Sequence, residues 1–107
     1  MIEIVFASAI YAAAFQNAAA DGARSALRTC IRAATEEARG QKIGNDAFPG
    51  FVRSKCTAQE SSFKSAVWAF DSKNKVSRRQ SEDDANLQVE DFVGMAAEKY
   101  AGDAAPQ

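Results

Sequence analysis

The sequence predicts an all-α protein, a small three-helix bundle whose antiparallel hairpin is pinned by one disulfide. Apolar residues recur at helical spacing through residues 23–38, 47–70 and again after 77, and no segment of useful length alternates like a strand. The chain has 107 residues, of which 47% are hydrophobic, and it contains few Gly and Pro, as expected for one folded domain. Its two cysteines lie on the inner faces of the first two helical segments.

Residues 1–20 form a hydrophobic segment that we predict to be a cleaved secretory leader. From Ile4 to Phe15 the only polar residue is Ser8, which is the length of a signal-peptide apolar region and too short to span a bilayer. Small residues at 18–20 then provide a cleavage site. A single helical domain, residues 21–107, would follow.

One feature of this segment disagrees with a leader. Glu3 stands where a leader carries Lys or Arg, unless the true start codon lies upstream. In the alternative interpretation, residues 1–20 are kept as a fourth helix. That helix would join the bundle or mediate dimerisation through Phe6, Ile10 and Phe15.

A turn separates the first two predicted helices. Arg39 and Gly40 end the first helix, since a cation favours the last turn and glycine readily takes the left-handed conformation just past it. Asn45 and Asp46 are N-cap residues for the second helix, and Pro49 is tolerated only in that helix's first turn. The two helices therefore form an antiparallel hairpin.

Cys30 and Cys56 stand at matching heights on this hairpin. Cys30 is eight residues before Ala38 and Cys56 is nine residues after Ala47, so at about 1.5 Å per residue they lie roughly 12 and 14 Å from the turn. We predict that they form a disulfide, which stabilises the fold by about 3 to 4 kcal/mol on the chain-entropy model. The alternative is a pair of buried free thiols.

A basic stripe follows one flank of the first helix, which runs from about residue 23 to 38. Arg24, Arg28 and Arg32 are four residues apart, and they are candidate contacts for an anionic partner such as lipopolysaccharide, peptidoglycan or an acidic protein. In the alternative interpretation the stripe is a solvated edge that Glu36, four residues after Arg32, partly neutralises.

The second helix, from about residue 47 to 70, carries the clearest apolar stripe and is predicted to be the spine of the bundle. Trp68 lies off that stripe, on a polar side that includes Lys64. Because tryptophan is a frequent interaction anchor, Trp68 with Lys64 is a second candidate partner-binding surface. Alternatively, Trp68 packs beneath the connection after residue 71 or against Leu87.

The third helix follows a basic connection at residues 71–80. No aromatic residues interleave with its cations, so we interpret it as a solvated turn rather than a nucleic-acid site. Ser77 or Ser81 caps the helix, and the acids at 82–84 are expected in its first turn, near the positive end of the helix dipole. The helix is predicted to continue to about Tyr100.

The composition excludes several kinds of chemistry. The chain has no histidine, so His-based acid/base catalysis and His-metal sites are absent, and we find no catalytic, cofactor or metal motif. A net charge of −1 provides no steering toward nucleic acid. The alternative to a non-enzymatic protein is a small enzyme that uses carboxylates such as Glu36, Glu37 or Glu60.

These observations predict a non-enzymatic protein that is exported to a bacterial periplasm or secreted. Its expected function is binding, as an accessory, inhibitor or chaperone-like protein, to a protein or an anionic envelope component. No cofactor, metal, nucleic acid or stable membrane span is expected. The protein would act as a monomer or a homodimer.

Overall fold

The chain folds into four α-helices, as seen in a computed structural model that describes the backbone of residues 2–104 and the side chains of residues 18–103. The helices are α1 (Ile2–Gln41), α2 (Phe48–Lys55), α3 (Thr57–Lys73) and α4 (Arg78–Ala104). No strand occurs between residues 2 and 104. Since α2 and α3 return together along α1, and α4 then runs parallel to α1, the predicted small all-α bundle is confirmed, with two helices in place of the predicted second one.

Every helix contributes one apolar face to a shared core. The small residues Ala34 and Ala38 on α1 allow the neighbouring helices to approach it closely. The fully buried Phe48 ring stacks on the Tyr100 ring, with 4.3 Å between the ring centroids. The Tyr100 hydroxyl donates to the Ile43 carbonyl at 2.6 Å, so the polar end of this buried ring is satisfied. The core residues are Leu27, Ile31, Ala34, Ala38, Phe48, Val52, Cys56, Phe63, Val67, Ala85, Val89, Val93 and Tyr100.

Cys30 and Cys56 form the predicted disulfide, with Cα atoms 5.9 Å apart. The middle segment, however, is not the continuous helix that we expected over residues 47–70. At Cys56 the backbone leaves helical geometry (φ −113°, ψ 22°) and divides α2 from α3. Helices normally pack with their axes about 8 to 10 Å apart, whereas the Cα atoms of a disulfide must lie within about 7 Å of each other. The chain therefore leaves helical geometry at Cys56, the residue that must come closer to α1.

The turn after α1 also differs from the prediction. α1 continues beyond Gly40, and the left-handed residue is Lys42, with φ 56°. The Ile43 amide donates to the Ala38 carbonyl (3.0 Å) and the Lys42 amide to the Arg39 carbonyl (3.1 Å), which is a Schellman motif. Because Ile43 packs against the core, this contact sets the position of the turn, two residues later than glycine alone would place it.

The start of α2 has no side-chain cap. Its N-cap residue is Ala47, so the expectation that Asn45 or Asp46 would cap this helix is wrong. The Gly44 carbonyl accepts hydrogen bonds from the amides of Ala47 and Phe48. These are the backbone amides that a capping side chain at residue 45 would otherwise accept from. Pro49 lies in the first turn of α2, as predicted.

The start of α4 confirms one predicted cap. The Ser77 hydroxyl accepts a hydrogen bond from the Gln80 amide at 3.1 Å, whereas Ser81 is buried within the helix. With Ser77 as the cap, the first turn contains no acid, and the residues at 82–84 lie one turn later than expected. α4 also extends beyond Tyr100, to Ala104.

The predicted leader is not tested by the structure. α1 is one helix through residues 20 and 21, where cleavage was predicted, and the first of its described side chains to be buried is Ala20. The side chains of Phe6, Ile10 and Phe15 lie outside the described residues. The leader and the alternative fourth helix therefore both stay predictions.

Candidate functional site

α1 and α4 run side by side in the same direction, and three contacts fix their register. In the first, Arg24 Nε donates to Gln88 Oε1 at 3.1 Å. In each contact the α4 residue follows the α1 residue by 64 positions in the sequence. The three pairs are Arg24 with Gln88, Arg28 with Phe92, and Arg39 with Asp103. The two helices therefore stay in step along their contact.

A groove of about 440 Å³ lies on the outer side of these contacts, and we call it the α1–α4 groove. The Met95 side chain is 65% exposed and the Phe92 ring is half-buried, so apolar surface in the groove meets solvent. Its apolar residues are Ile31, Phe92, Met95 and Ala96, its basic residues are Arg28, Arg32, Arg39 and Lys99, and Thr35 and the acid Glu36 complete the lining. Apolar surface bordered by cations is complementary to an anionic, amphipathic partner.

The structure divides the predicted arginine stripe. Arg24 is used by the fold, because it pairs with Asp21 and its guanidinium carbon lies 5.4 Å from the centroid of the buried Phe63 ring. Arg28 and Arg32 are exposed and border the α1–α4 groove. Two of the three predicted residues thus belong to the groove.

The acid that was expected to neutralise this stripe has a different partner. Glu36 forms an ion pair with Arg39, three residues later, whereas Arg32 donates to the Thr29 hydroxyl at 3.1 Å. Among the side chains that the structure describes, Arg28, Arg32 and Lys99 form no ion pair. The positive charge along the groove is therefore largely uncompensated.

Trp68 and Lys64 line a second cavity, of about 350 Å³, between α3 and α4. The Trp68 ring is half-buried, and the Arg78 guanidinium carbon lies 5.2 Å from its centroid. Trp68 thus packs against Arg78, which lies within the predicted connection at residues 71–80, and this is one of its two predicted structural roles, whereas Leu87 is 59% exposed. Lys64 is paired with Glu60 at 2.9 Å, so this surface has less uncommitted charge than the α1–α4 groove.

The three candidate carboxylates are held by different cations. Glu36 and Glu37 are exposed on α1, and each pairs with its own basic side chain. Glu60 lies between Arg53 (3.1 Å) and Lys64 (2.9 Å). Burial acts to raise the pKa of Glu60, but the hydrogen bond and charge of Lys64 and the charge of Arg53 outweigh it, so the pKa lies below its usual value. A carboxyl held ionised in this way is a poor proton donor at neutral pH.

Sequence reasoning missed the α4 side of the groove. Phe92, Met95 and Lys99 recur at spacings of three and four residues, which places them on one side of a helix. That signal could have identified them as a surface. It could not have shown that they face Arg28 and Arg32, because the register between α1 and α4 is set by contacts between residues 64 positions apart, which the pattern of one helix does not contain.

Among the described residues, no three or more His, Cys, Asp or Glu side chains are grouped so that they could hold a metal ion. In the same part of the chain, no helix has a stretch that is both long and apolar enough to cross a membrane. Comparison of the chain with protein-family models, with curated proteins and with solved structures found no match. A functional proposal therefore rests on the geometry of the groove itself.

Proposed function

We propose that the protein is a non-enzymatic, exported helical protein that binds a protein or envelope partner in the α1–α4 groove, in an accessory, inhibitory or chaperone-like role. The observation that carries this proposal is the combination of exposed apolar surface and uncompensated charge. Met95 is 65% exposed, and beside it Arg28, Arg32 and Lys99 have no ion-pair partner among the described side chains. Exposed apolar surface rimmed by charge is typical of an interaction site.

Two features favour binding over catalysis. The chain contains no histidine, and the carboxylates that could replace it, Glu36, Glu37 and Glu60, are each engaged by a cation. The lowered pKa of Glu60 keeps it ionised, whereas general acid/base catalysis favours a pKa near the working pH. The groove itself presents cations and apolar side chains, which recognise an anionic amphipathic surface.

The proposed location is a bacterial periplasm or the cell exterior. The Cys30–Cys56 disulfide supports it, because disulfides persist in oxidising compartments, and so does the predicted leader. The intact mass of the protein recovered from its native cells tests this part of the proposal. We expect the mass of residues 21–107, with a gain of two hydrogens on reduction. A full-length mass with free thiols would contradict export.

A photoreactive amino acid at position 95 of the full chain tests the binding proposal. Position 87 is the matched control, because Leu87 and Met95 are exposed apolar residues of α4 (59% and 65%) and only Met95 lines the groove. Irradiation of native cells should produce a discrete crosslinked species from position 95 and much less of it from position 87. Equal crosslinking from the two positions, or none from either, would contradict the proposal.

A further inference from the structure

The α1–α4 groove is a trough that side chains cross at both ends. Arg28 reaches over the Phe92 ring at one end, and Arg39 pairs with Asp103 at the other. Arg28 and Arg39 lie 11 positions apart on α1, which is about 16 Å at the rise of an α-helix. The volume of about 440 Å³ falls within the range of small-molecule sites, about 300 to 1,000 Å³. The trough therefore has the dimensions of a small ligand.

The lining of the trough changes from apolar to polar along its length. Because α4 residues follow their α1 neighbours by 64 positions, Met95 lies level with Ile31, and Lys99 lies level with Thr35. Phe92, at the level before Met95, extends the apolar part toward the end of the trough. A ligand that matches this lining has an apolar chain and one polar end.

Two cations flank the polar part from opposite walls. Arg32 on α1 and Lys99 on α4 differ in level by three residues, which is about 4.5 Å along the helices. Both are exposed, and neither forms an ion pair with a side chain that the structure describes. Arg32 gives one N–H group to the Thr29 hydroxyl and keeps others available. One anionic group between the walls can therefore contact both cations.

The acids around the trough restrict the kind of anion that fits. Glu36 belongs to the lining, but Arg39 pairs with it. Asp91 and Glu98 are exposed on α4, and at about 100° per residue they lie beyond Met95, on the side away from α1. A broad anionic surface laid over the trough would meet these acids, whereas a single anionic head group between the walls would not.

The size of the trough favours a small ligand over a protein. Packed helices lie about 8 to 10 Å apart, so a trough about 16 Å long covers about 150 Å². A standard protein interface takes about 800 Å² from each partner. A protein partner would therefore need most of its contacts outside the groove.

We propose that the α1–α4 groove binds a monomeric, single-chain anionic lipid, with its head group between Arg32 and Lys99 and its acyl chain along Met95 toward Phe92. This inference rests on the proposed function and names the chemical class of the envelope partner of the same groove. Met95 is flexible and 65% exposed, so its side chain can cover chains of different shape. Burial of the chain supplies affinity, and the two cations select the charge of the head group.

Isothermal titration calorimetry of the oxidised full chain with dodecanoate, at concentrations where dodecanoate is monomeric, tests the proposal. Binding should saturate at one site. The affinity should increase about two- to fourfold for each CH₂ group added between octanoate and dodecanoate, because each group buries more apolar surface. Dodecylammonium has the same chain with a cationic head group, and it should bind at least about tenfold more weakly.

One pair of variants tests the apolar part of the trough. Met95→Asp should raise the Kd for dodecanoate at least about tenfold, because it places a carboxylate beside the acyl chain. Leu87→Asp is the matched control and should change the Kd by less than about threefold, because Leu87 is exposed on α4 but does not line the groove. Since both side chains are exposed, both variants should melt like the wild type.

A second pair of variants separates the head-group contacts from net charge. Arg32→Gln/Lys99→Gln should raise the Kd for dodecanoate at least about tenfold, because both cations that hold the head group are lost. Lys73→Gln/Arg79→Gln removes the same charge from exposed residues outside the groove, and it should change the Kd by less than about threefold.

Three results would overturn the lipid. They are the absence of saturable dodecanoate binding, an equal affinity for dodecylammonium, and a Kd that the groove variants change no more than their controls do. If dodecanoate does not bind and position 95 crosslinks a protein in cells, this inference is overturned and the proposed function stands. Equal crosslinking from positions 87 and 95 would overturn the proposed function itself.

Discussion

Removing the Cys30–Cys56 bond should lower the free energy of unfolding by about 3.5 kcal/mol. The bond joins residues separated by 26 positions and ties α1 to the bend between α2 and α3. On the chain-entropy model a loop of this length removes about 12 cal/mol/K of entropy from the unfolded chain, which is about 3.5 kcal/mol at 25 °C. Small domains are stable by only about 5 to 15 kcal/mol, so this is a large fraction of the total.

Thermal unfolding followed by circular dichroism, with and without reductant, measures this loss. For a domain of this size 1 kcal/mol corresponds to about 4 to 8 °C in Tm, so complete reduction should lower the Tm by about 15 to 25 °C. The Cys30→Ala/Cys56→Ala variant should melt slightly below the reduced protein, because Cys56 is buried (1% exposed) and alanine leaves a void there. Reductant should not affect that variant. A decrease of less than about 5 °C after complete reduction would refute the reasoning, since core packing alone would then hold α1 to the bend.

Three further predictions concern single features. Gly40→Ala combined with Lys42→Gly should raise the free energy of unfolding in urea by about 1 to 2 kcal/mol, because glycine then occupies the left-handed position and alanine the helix interior; an unchanged midpoint would mean that Lys42 is unstrained. Glu60→Gln should lower stability by about 1 kcal/mol at pH 7. The folded-state pKa of Glu60 lies below its ordinary value of 4.5, so its contribution is complete above that value and is lost as the pH falls through the folded-state pKa; a stability difference that persists at lower pH would contradict this assignment. Trp68→Ala should destabilise the fold by about 1 to 2 kcal/mol, and an unchanged Tm would show that the half-buried ring contributes no packing.

The helices and the disulfide could be predicted because the information for them is local. Apolar residues at helical spacing identify the buried faces, and Phe48, Val52, Phe63 and Val67, which belong to the apolar stripe of residues 47–70, are all buried. Cys30 and Cys56 were placed together by counting residues from one turn, a calculation that needs only the helical rise. Three helices and one hairpin leave few other ways to assemble the core.

The details that failed depend on tertiary contacts. Gly40 has the right chemistry to end α1, but the packing of Ile43 against the core moves the left-handed position to Lys42. Nothing in the local sequence marks Cys56 as the end of a helix, and the break there is a consequence of the close approach to α1 that the disulfide requires. In both places packing outweighs the backbone preference of one residue, which is worth about 1 kcal/mol.

The α1–α4 groove could be predicted only in part, for a related reason. Arg28 and Arg32 were identified from their spacing, but their significance depends on facing Phe92 and Met95. That juxtaposition follows from the constant offset between α1 and α4, which the contacts of Arg24 with Gln88, Arg28 with Phe92 and Arg39 with Asp103 maintain. The spacing of residues on α1 alone therefore predicts a charged surface. The packing of α1 against α4 is needed to show that this surface borders exposed apolar residues and forms a candidate site.

The contacts at the two ends of the α1–α4 groove do not depend on the disulfide. Arg24 with Gln88 holds one end and Arg39 with Asp103 holds the other, and neither contact involves the segment that the disulfide attaches to α1. Reduction should therefore weaken binding in the groove only in proportion to the fraction of chains that unfold, because ligand binding and folding are linked by mass action. If affinity fell on reduction at a temperature where the chain was still fully folded, the disulfide would have to shape the groove directly, and the end contacts would not be sufficient to define it.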